Sequence, residues 1–205
     1  LIPESTLLKR EIVVSTKEYI NGNCKHIIHI LLPYLQKFSE SNSTKYNFAR
    51  KERDHLQKYY LDLLHEANKC LISKHPDIFW ETYSNYMGSG DYLYNEVILD
   101  AMYYLPTKYF DKCIEYLLID FDKTLFEKSK GYEKILNLAK RLISKVSKKC
   151  SMEMYGKLEK QIIHYISPEA TQRLKRRIDT NKAKKDYRVY WPFWGDLQFR
   201  LLSIL

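Results

Sequence analysis

Apolar residues recur along this chain at the three- and four-residue spacing of helices, and almost nowhere in strict alternation. The clearest stretch is Asp91 to Asp120, DYLYNEVILDAMYYLPTKYFDKCIEYLLID. Its first half places Leu93, Val97, Ile98, Ala101, Met102 and Leu105 on one face. Pro106 cannot continue that helix, and Thr107 is positioned to cap the next. In the second half Phe110, Ile114, Leu117 and Leu118 repeat the pattern. Neither helix can bury its face alone, so each is expected to fold back on its neighbour as a hairpin, which then stacks on others.

The rest of the chain reads the same way. A helix over 5–20, capped at Ser5 or Thr6, carries Leu7, Leu8, Ile12 and Val13, and Asn21-Gly22-Asn23 is expected to break it. A second, over 24–39, carries Ile27, Ile28, Leu31, Leu35 and Phe38, with Pro33 expected to kink it. After a polar loop at 39–45, a long helix runs from Asn47 to Lys74, with Leu56, Tyr60, Leu63, Leu64, Ala67 and Leu71 spaced for burial. His75-Pro76-Asp77 restarts the chain for a short aromatic helix with Phe79, Trp80 and Tyr83, and Met87-Gly88-Ser89-Gly90 reads as a joint.

Beyond a loop at 120–130, the helix over 131–149 has the cleanest face, made by Ile135, Leu138, Ala139, Leu142, Ile143 and Val146. Ser151 caps a further helix with Leu158, Ile162 and Ile166 inward, and Ser167-Pro168-Glu169 is a strong start signal. Hairpins would begin near 91, 131 and 168, close to the period of HEAT-type repeats. The expected fold is all-α, an α-solenoid-like, right-handed stack of antiparallel helix hairpins. Residues 1–87 would form a less regular helical segment and residues 88–205 the repeats.

Composition supports this picture. The 205 residues are 45% hydrophobic and 14% aromatic, enough for a sizeable core, and 6 Gly and 6 Pro leave few breakers. No signal peptide and no apolar run near the roughly 20 residues of a membrane span is visible. The four cysteines, at 24, 70, 113 and 150, lack metal or redox spacing and read as reduced, half-buried helix residues of a cytoplasmic protein. A start at Leu1 and a stop at Leu205 inside an apolar pattern suggest a piece of a longer protein.

Charge is uneven. Residues 140–188 carry a net of +10, whereas the remainder nets −1. The basic run RLKRRIDTNKAKKDYR holds Arg173, Lys175, Arg176, Arg177, Lys182, Lys184, Lys185 and Arg188. It could follow a phosphate backbone, with Tyr187 and Tyr190 stacking on bases; the plainer reading is a solvated basic face.

Candidate chemistry is sparse. Asp120-Phe121-Asp122-Lys123-Thr124 resembles the D-x-D-x-T motif of haloacid-dehalogenase-type phosphatases. There the first Asp is the nucleophile, the second an acid–base, and magnesium balances the charge. That chemistry needs a preceding buried strand and a later acidic pair. The preceding residues are helical in period and the later acids are scattered, which favours a helix end. His26 and His29 share a helix face, but no third ligand is apparent and no metal is expected. No glycine belongs to a phosphate-binding loop, so no cofactor is expected in this segment. Near the end, Trp191, Phe193 and Trp194 precede Leu197, Leu201 and Leu205. They either anchor this helix on the preceding hairpin or form an interaction hot spot.

This ending, W-P-F-W-G-D-L-Q-F-R-L-L, carries a resemblance together with Y-L-Y-N-E-V-I-L-D-A-M-Y-Y-L-P at 92–106 and the paired helices of 131–166. Over residues 80–205 the chain resembles the C-terminal helical-repeat region of bacterial antiviral STAND NTPases of the AVAST type. The resemblance implies a parent protein with an N-terminal effector, often a nuclease, and a central NTPase using ATP and magnesium. Its repeats would recognise a viral terminase or portal protein, and recognition would drive oligomerisation. This segment would be the non-catalytic sensor or its supporting solenoid. No contact residue carries over from the family, and the basic charge is left without a role. The alternatives are a nucleic-acid-binding module and, more remotely, the phosphatase.

Overall fold

The computed structural model describes residues 18–35, 47–89, 91–119, 132–165 and 201–205, together with 179 and 198; in the helices starting at 47 and 132, side chains are described from 56 and 134. Among these residues every element is helical and none is a strand. The chain divides into two compact units, Leu1–Pro106 and Thr107–Leu205.

The first unit begins, as described, with α1 (residues 18–35). Ile20, Cys24, Ile28, Leu32 and Leu35 form its buried stripe. That stripe runs without interruption past Asn21-Gly22-Asn23, where the sequence pattern predicts a break. Two local facts explain the difference. Asn23 donates its side-chain amide to the Tyr19 carbonyl at 3.1 Å, within the helix. Gly22 faces open space, where an added Cβ would meet nothing within 4 Å. The cost of one helical glycine, about 1 kcal/mol, is small beside burial of the flanking Ile20 and Cys24. Pro33 likewise sits within the helix, on its exposed side.

Helix α2 (Asn47–Lys74) has the bounds its periodicity predicts. Leu64, Ala67, Cys70, Leu71 and Ile72 are buried. Leu56, spaced for burial, is instead 49% exposed, and Tyr60 and Leu63 are half-buried. Helices α1 and α2 run antiparallel. Near one end Cys70 and Lys74 both donate to the Asn21 carbonyl, and near the other the Tyr34 and Tyr60 rings lie 6.4 Å apart. The first third therefore contains an ordinary helix hairpin.

The His75–Asp77 turn leads into α3 (Ile78–Tyr83), whose buried Phe79 and Tyr83 rings are 4.9 Å apart. Backbone bonds from Tyr86 and Met87 to the Tyr83 carbonyl close the following turn, and Gly88 ends it at φ 74, a conformation that favours glycine. Helix α4 (Tyr92–Met102) is capped by Asp91, whose carboxylate accepts from the Leu93 amide at 2.8 Å. Beyond the single face read from the sequence, Tyr94, Asn95 and Leu99 are also buried. A helix enclosed this completely is the centre of its unit. It packs on α2, as does α3.

The second unit opens with a 3-10 turn, Thr107–Tyr109, in place of a helix capped directly at Thr107. Helix α5 (Phe110–Ile119) buries Phe110, Cys113, Ile114, Tyr116 and Leu117. It packs on both α6 (Tyr132–Val146) and α7 (Met152–His164). Thus the two helices flanking Pro106 each have partners within their own unit. In α6, Ile135, Ala139, Leu142, Ile143 and Val146 are buried as read from the sequence, while Leu138 is only half-buried and Leu136, outside that face, is buried as well. Ser151 caps α7 by accepting from the Met154 amide at 3.3 Å, and Leu158 and Ile162 point inward as expected. The hairpin expected from Pro168 lies outside the described residues. No helix among the described residues is long and apolar enough to cross a membrane.

Candidate functional site

The residues singled out for binding, Trp191, Phe193 and Trp194, and the basic set Arg173, Lys175, Arg176, Arg177, Lys182, Lys184, Lys185 and Arg188, all lie outside the described residues, as do Asp120, Asp122 and Thr124. The segment leading into Asp120 is helix α5, where the phosphatase motif requires a strand. His26 and His29 are both exposed on α1. Among the described residues no group of three His, Cys, Asp or Glu could hold a metal ion.

Downstream, Gln198 donates to the Tyr165 carbonyl at 2.6 Å and Leu201 is buried. The first of these joins Gln198 to the residue that caps the end of α7.

The described structure instead brings together a polar cluster between α2 and α4. Asp100 is the one acid in the run VILDAM. A carboxylate on so enclosed a helix needs a partner. His65 supplies it: its Nδ1 bonds Asp100 Oδ2, while its Nε2 lies 3.9 Å from Glu66 Oε1. The imidazole edge meets the Tyr104 ring at 5.7 Å between centroids. Lys69 joins the same cluster, bonding Glu66 at 2.9 Å with its ammonium 5.3 Å from the Tyr104 ring centre. Burial pulls the Lys69 pKa down, but the Glu66 hydrogen bond and negative charge outweigh it, so the net shift is upward. With His65 between two carboxylates and a phenol ring, the arrangement clasps two helices.

Two further polar links cross this unit. Tyr83 donates to Asn68 Oδ1 at 2.7 Å with both side chains buried, and burial pushes the Tyr83 phenol well above its ordinary range. Tyr94 donates to the Leu32 carbonyl at 3.1 Å, tying α4 to α1. None of these pairings was legible beforehand. The one available signal was a polar residue inside an apolar run, as with Asp100 and Asn68.

The thiols are more deeply placed than the half-buried expectation. Cys24, Cys70 and Cys113 are buried, Cys150 is half-buried, and all four are free thiols. Burial pushes Cys113 up to about 12, partly opposed by the Lys145 cation. Burial also pulls Lys145 down, and its ammonium lies 5.4 Å from the Phe110 ring centre. In the same unit Asp111 accepts from the Ser151 amide at 2.8 Å, joining the start of α5 to the cap of α7.

Tyr19 and Ile30 lie on the outer side of α1, opposite its buried stripe, and Tyr34 beside α2, with Leu56 and Tyr59 on α2, is exposed as well. Comparison with protein-family models, with characterised proteins and with solved structures found no match.

Proposed function

We propose that this chain is a non-catalytic helical recognition or scaffold segment that binds a partner protein within a larger NTP-dependent antiviral switch. The observation that carries the reading is the architecture. Helices α3 and α4 pack on α2 and α4 is almost wholly enclosed, the side-by-side packing by which helical-repeat proteins hold a stiff binding surface. The aromatic and aliphatic side chains exposed on α1 and α2 supply contact area of the kind protein interfaces use. The antiviral context, the viral terminase or portal partner, and the ATP and magnesium of the parent protein rest on the resemblance of 92–106, 131–166 and 191–202 alone. The coding sequence N-terminal to Leu1 tests that context. A G-x-x-x-x-G-K-[ST] loop and an effector domain upstream are expected, and a reading frame without an NTPase overturns it.

A second reading is favoured by one feature, the net +10 over residues 140–188. On that reading the segment binds nucleic acid. Affinity would fall steeply with salt and be lost when Arg173, Lys175, Arg176 and Arg177 are reversed in charge. Salt-insensitive binding, or none, rejects it.

A further inference from the structure

We propose that Cys24 and Cys70 form a redox-responsive dithiol, a modification site that a hydroperoxide converts to a disulfide locking α1 onto α2. It is independent of what the chain binds.

The pairing follows from the register of the hairpin. Tyr34 lies beside Tyr60, so in an antiparallel pair the residue ten places before Tyr34 lies level with the residue ten places after Tyr60. Those residues are Cys24 and Cys70. The other end of the hairpin agrees, because Cys70 donates its thiol to the Asn21 carbonyl at 3.6 Å, one helical turn before Cys24. Both cysteines are buried, and the Cys70 thiol reaches the backbone of α1. Cys24 stands close enough to Cys70 to add to the rise that burial gives the Cys70 pKa.

Helix geometry permits the bond. Packed axes lie about 8–10 Å apart and each Cα about 2.3 Å from its axis, so facing Cα atoms come within about 3.5–5.5 Å. A disulfide spans Cα separations of about 4.4–6.8 Å. By contrast, Cys113 and Cys150 belong to the second unit, where Cys150 donates to the Ser147 carbonyl one turn away.

Cys70 is the thiol that reacts first, because the Lys74 cation stands beside it, donating to the same Asn21 carbonyl. The Cys70 thiolate attacks one peroxide oxygen and the O–O bond breaks. This leaves a sulfenic acid and a hydroxide, which takes up the thiol proton as water. The Cys24 sulfur then attacks the sulfenic sulfur; the S–S bond forms, the S–O bond breaks, and a second water leaves. Two thiols lose two electrons and one peroxide gains them. Burial raises the Cys70 pKa, so the reaction accelerates as pH rises.

The test uses the full chain, reduced and then treated with hydrogen peroxide, with peptides mapped by mass spectrometry without reduction. The expected product is one dominant intramolecular link between the Cys24 and Cys70 peptides, reversed by dithiothreitol. Closing so long a loop raises the melting midpoint by on the order of 5–15 °C over the reduced chain. Cys24→Ala and Cys70→Ala remove the link and the shift, while Cys150→Ala leaves both. Links of Cys24 to Cys113 or Cys150, links between chains, or sulfinic acids at 24 and 70 without a link overturn the proposal. The wild-type map needs no variant to fold.

Discussion

The two units solve the same packing problem in different ways. In the first, polar side chains cross between helices inside or at the edge of the core: His65 to Asp100, Tyr83 to Asn68, Tyr94 to the Leu32 carbonyl, and Cys70 to the Asn21 carbonyl. In the second, α5 and α6 bury mainly apolar side chains among the described residues, and the links from Asp111 to the Ser151 amide and from Gln198 to the Tyr165 carbonyl sit at helix ends. Apolar burial is non-directional and tolerates small slips, whereas each buried hydrogen bond fixes a register. The first unit is therefore expected to be the more specific in its packing, and the second to depend more on area buried.

The largest expected effect is in the second unit. Leu117 is fully buried on α5, the helix that both α6 and α7 pack against. Leu117→Ala should destabilise that unit by about 2–5 kcal/mol in urea unfolding. A loss under 1 kcal/mol would show that α5 is not its centre.

Alkaline pH should follow. The Cys113 thiol is pushed up to about 12 by burial, against an ordinary value of 9.0. Below pH 9 both folded and unfolded chains hold the proton, and the contribution is complete. Above it the unfolded chain releases its proton first, so stability falls as pH rises toward 12. The slope is at most about 1.4 kcal/mol per pH unit from this group. Unfolding titrations from pH 8 to 10 should show the decline, and Cys113→Ala should make it shallower. An unchanged slope would remove Cys113 as the cause.

A smaller cost, about 1–3 kcal/mol, is expected from Tyr83→Phe, which leaves the buried Asn68 carbonyl without that donor. Adding Asn68→Leu should recover part of the loss. If the two losses simply add, the bond does not fix the packing of α3 on α2. The smallest effect is at the helix cap: Ser151→Ala should cost about 0.5–2 kcal/mol, confined to the second unit.

Local pattern revealed the elements and missed most of the links. The bounds of Asn47–Lys74, the inward face of α6 and the Ser151 cap were legible because each depends on residues within a few positions of one another. The break at Asn21–Asn23 failed because a buried stripe on both sides outweighed a local turn signal. Leu56 has helical spacing but lies exposed, since periodicity marks a face without stating how far a partner covers it. His65 with Asp100, and Cys24 with Cys70, lie 35 and 46 residues apart, and only the register of packed helices brings them together. The candidate residues from Arg173 to Trp194 were read from composition and aromatic clustering, and they fall outside the described residues.

The claim that this chain recognises a protein is tested most directly by a binding titration on the immobilised chain. Viral terminase and portal proteins and a single-stranded DNA would be compared at low and at physiological salt. The recognition account predicts saturable binding of a terminase or portal protein that persists at the higher salt, with any DNA binding lost there. Binding of DNA alone, weakening with salt and abolished by charge reversal at 173–177, would contradict it.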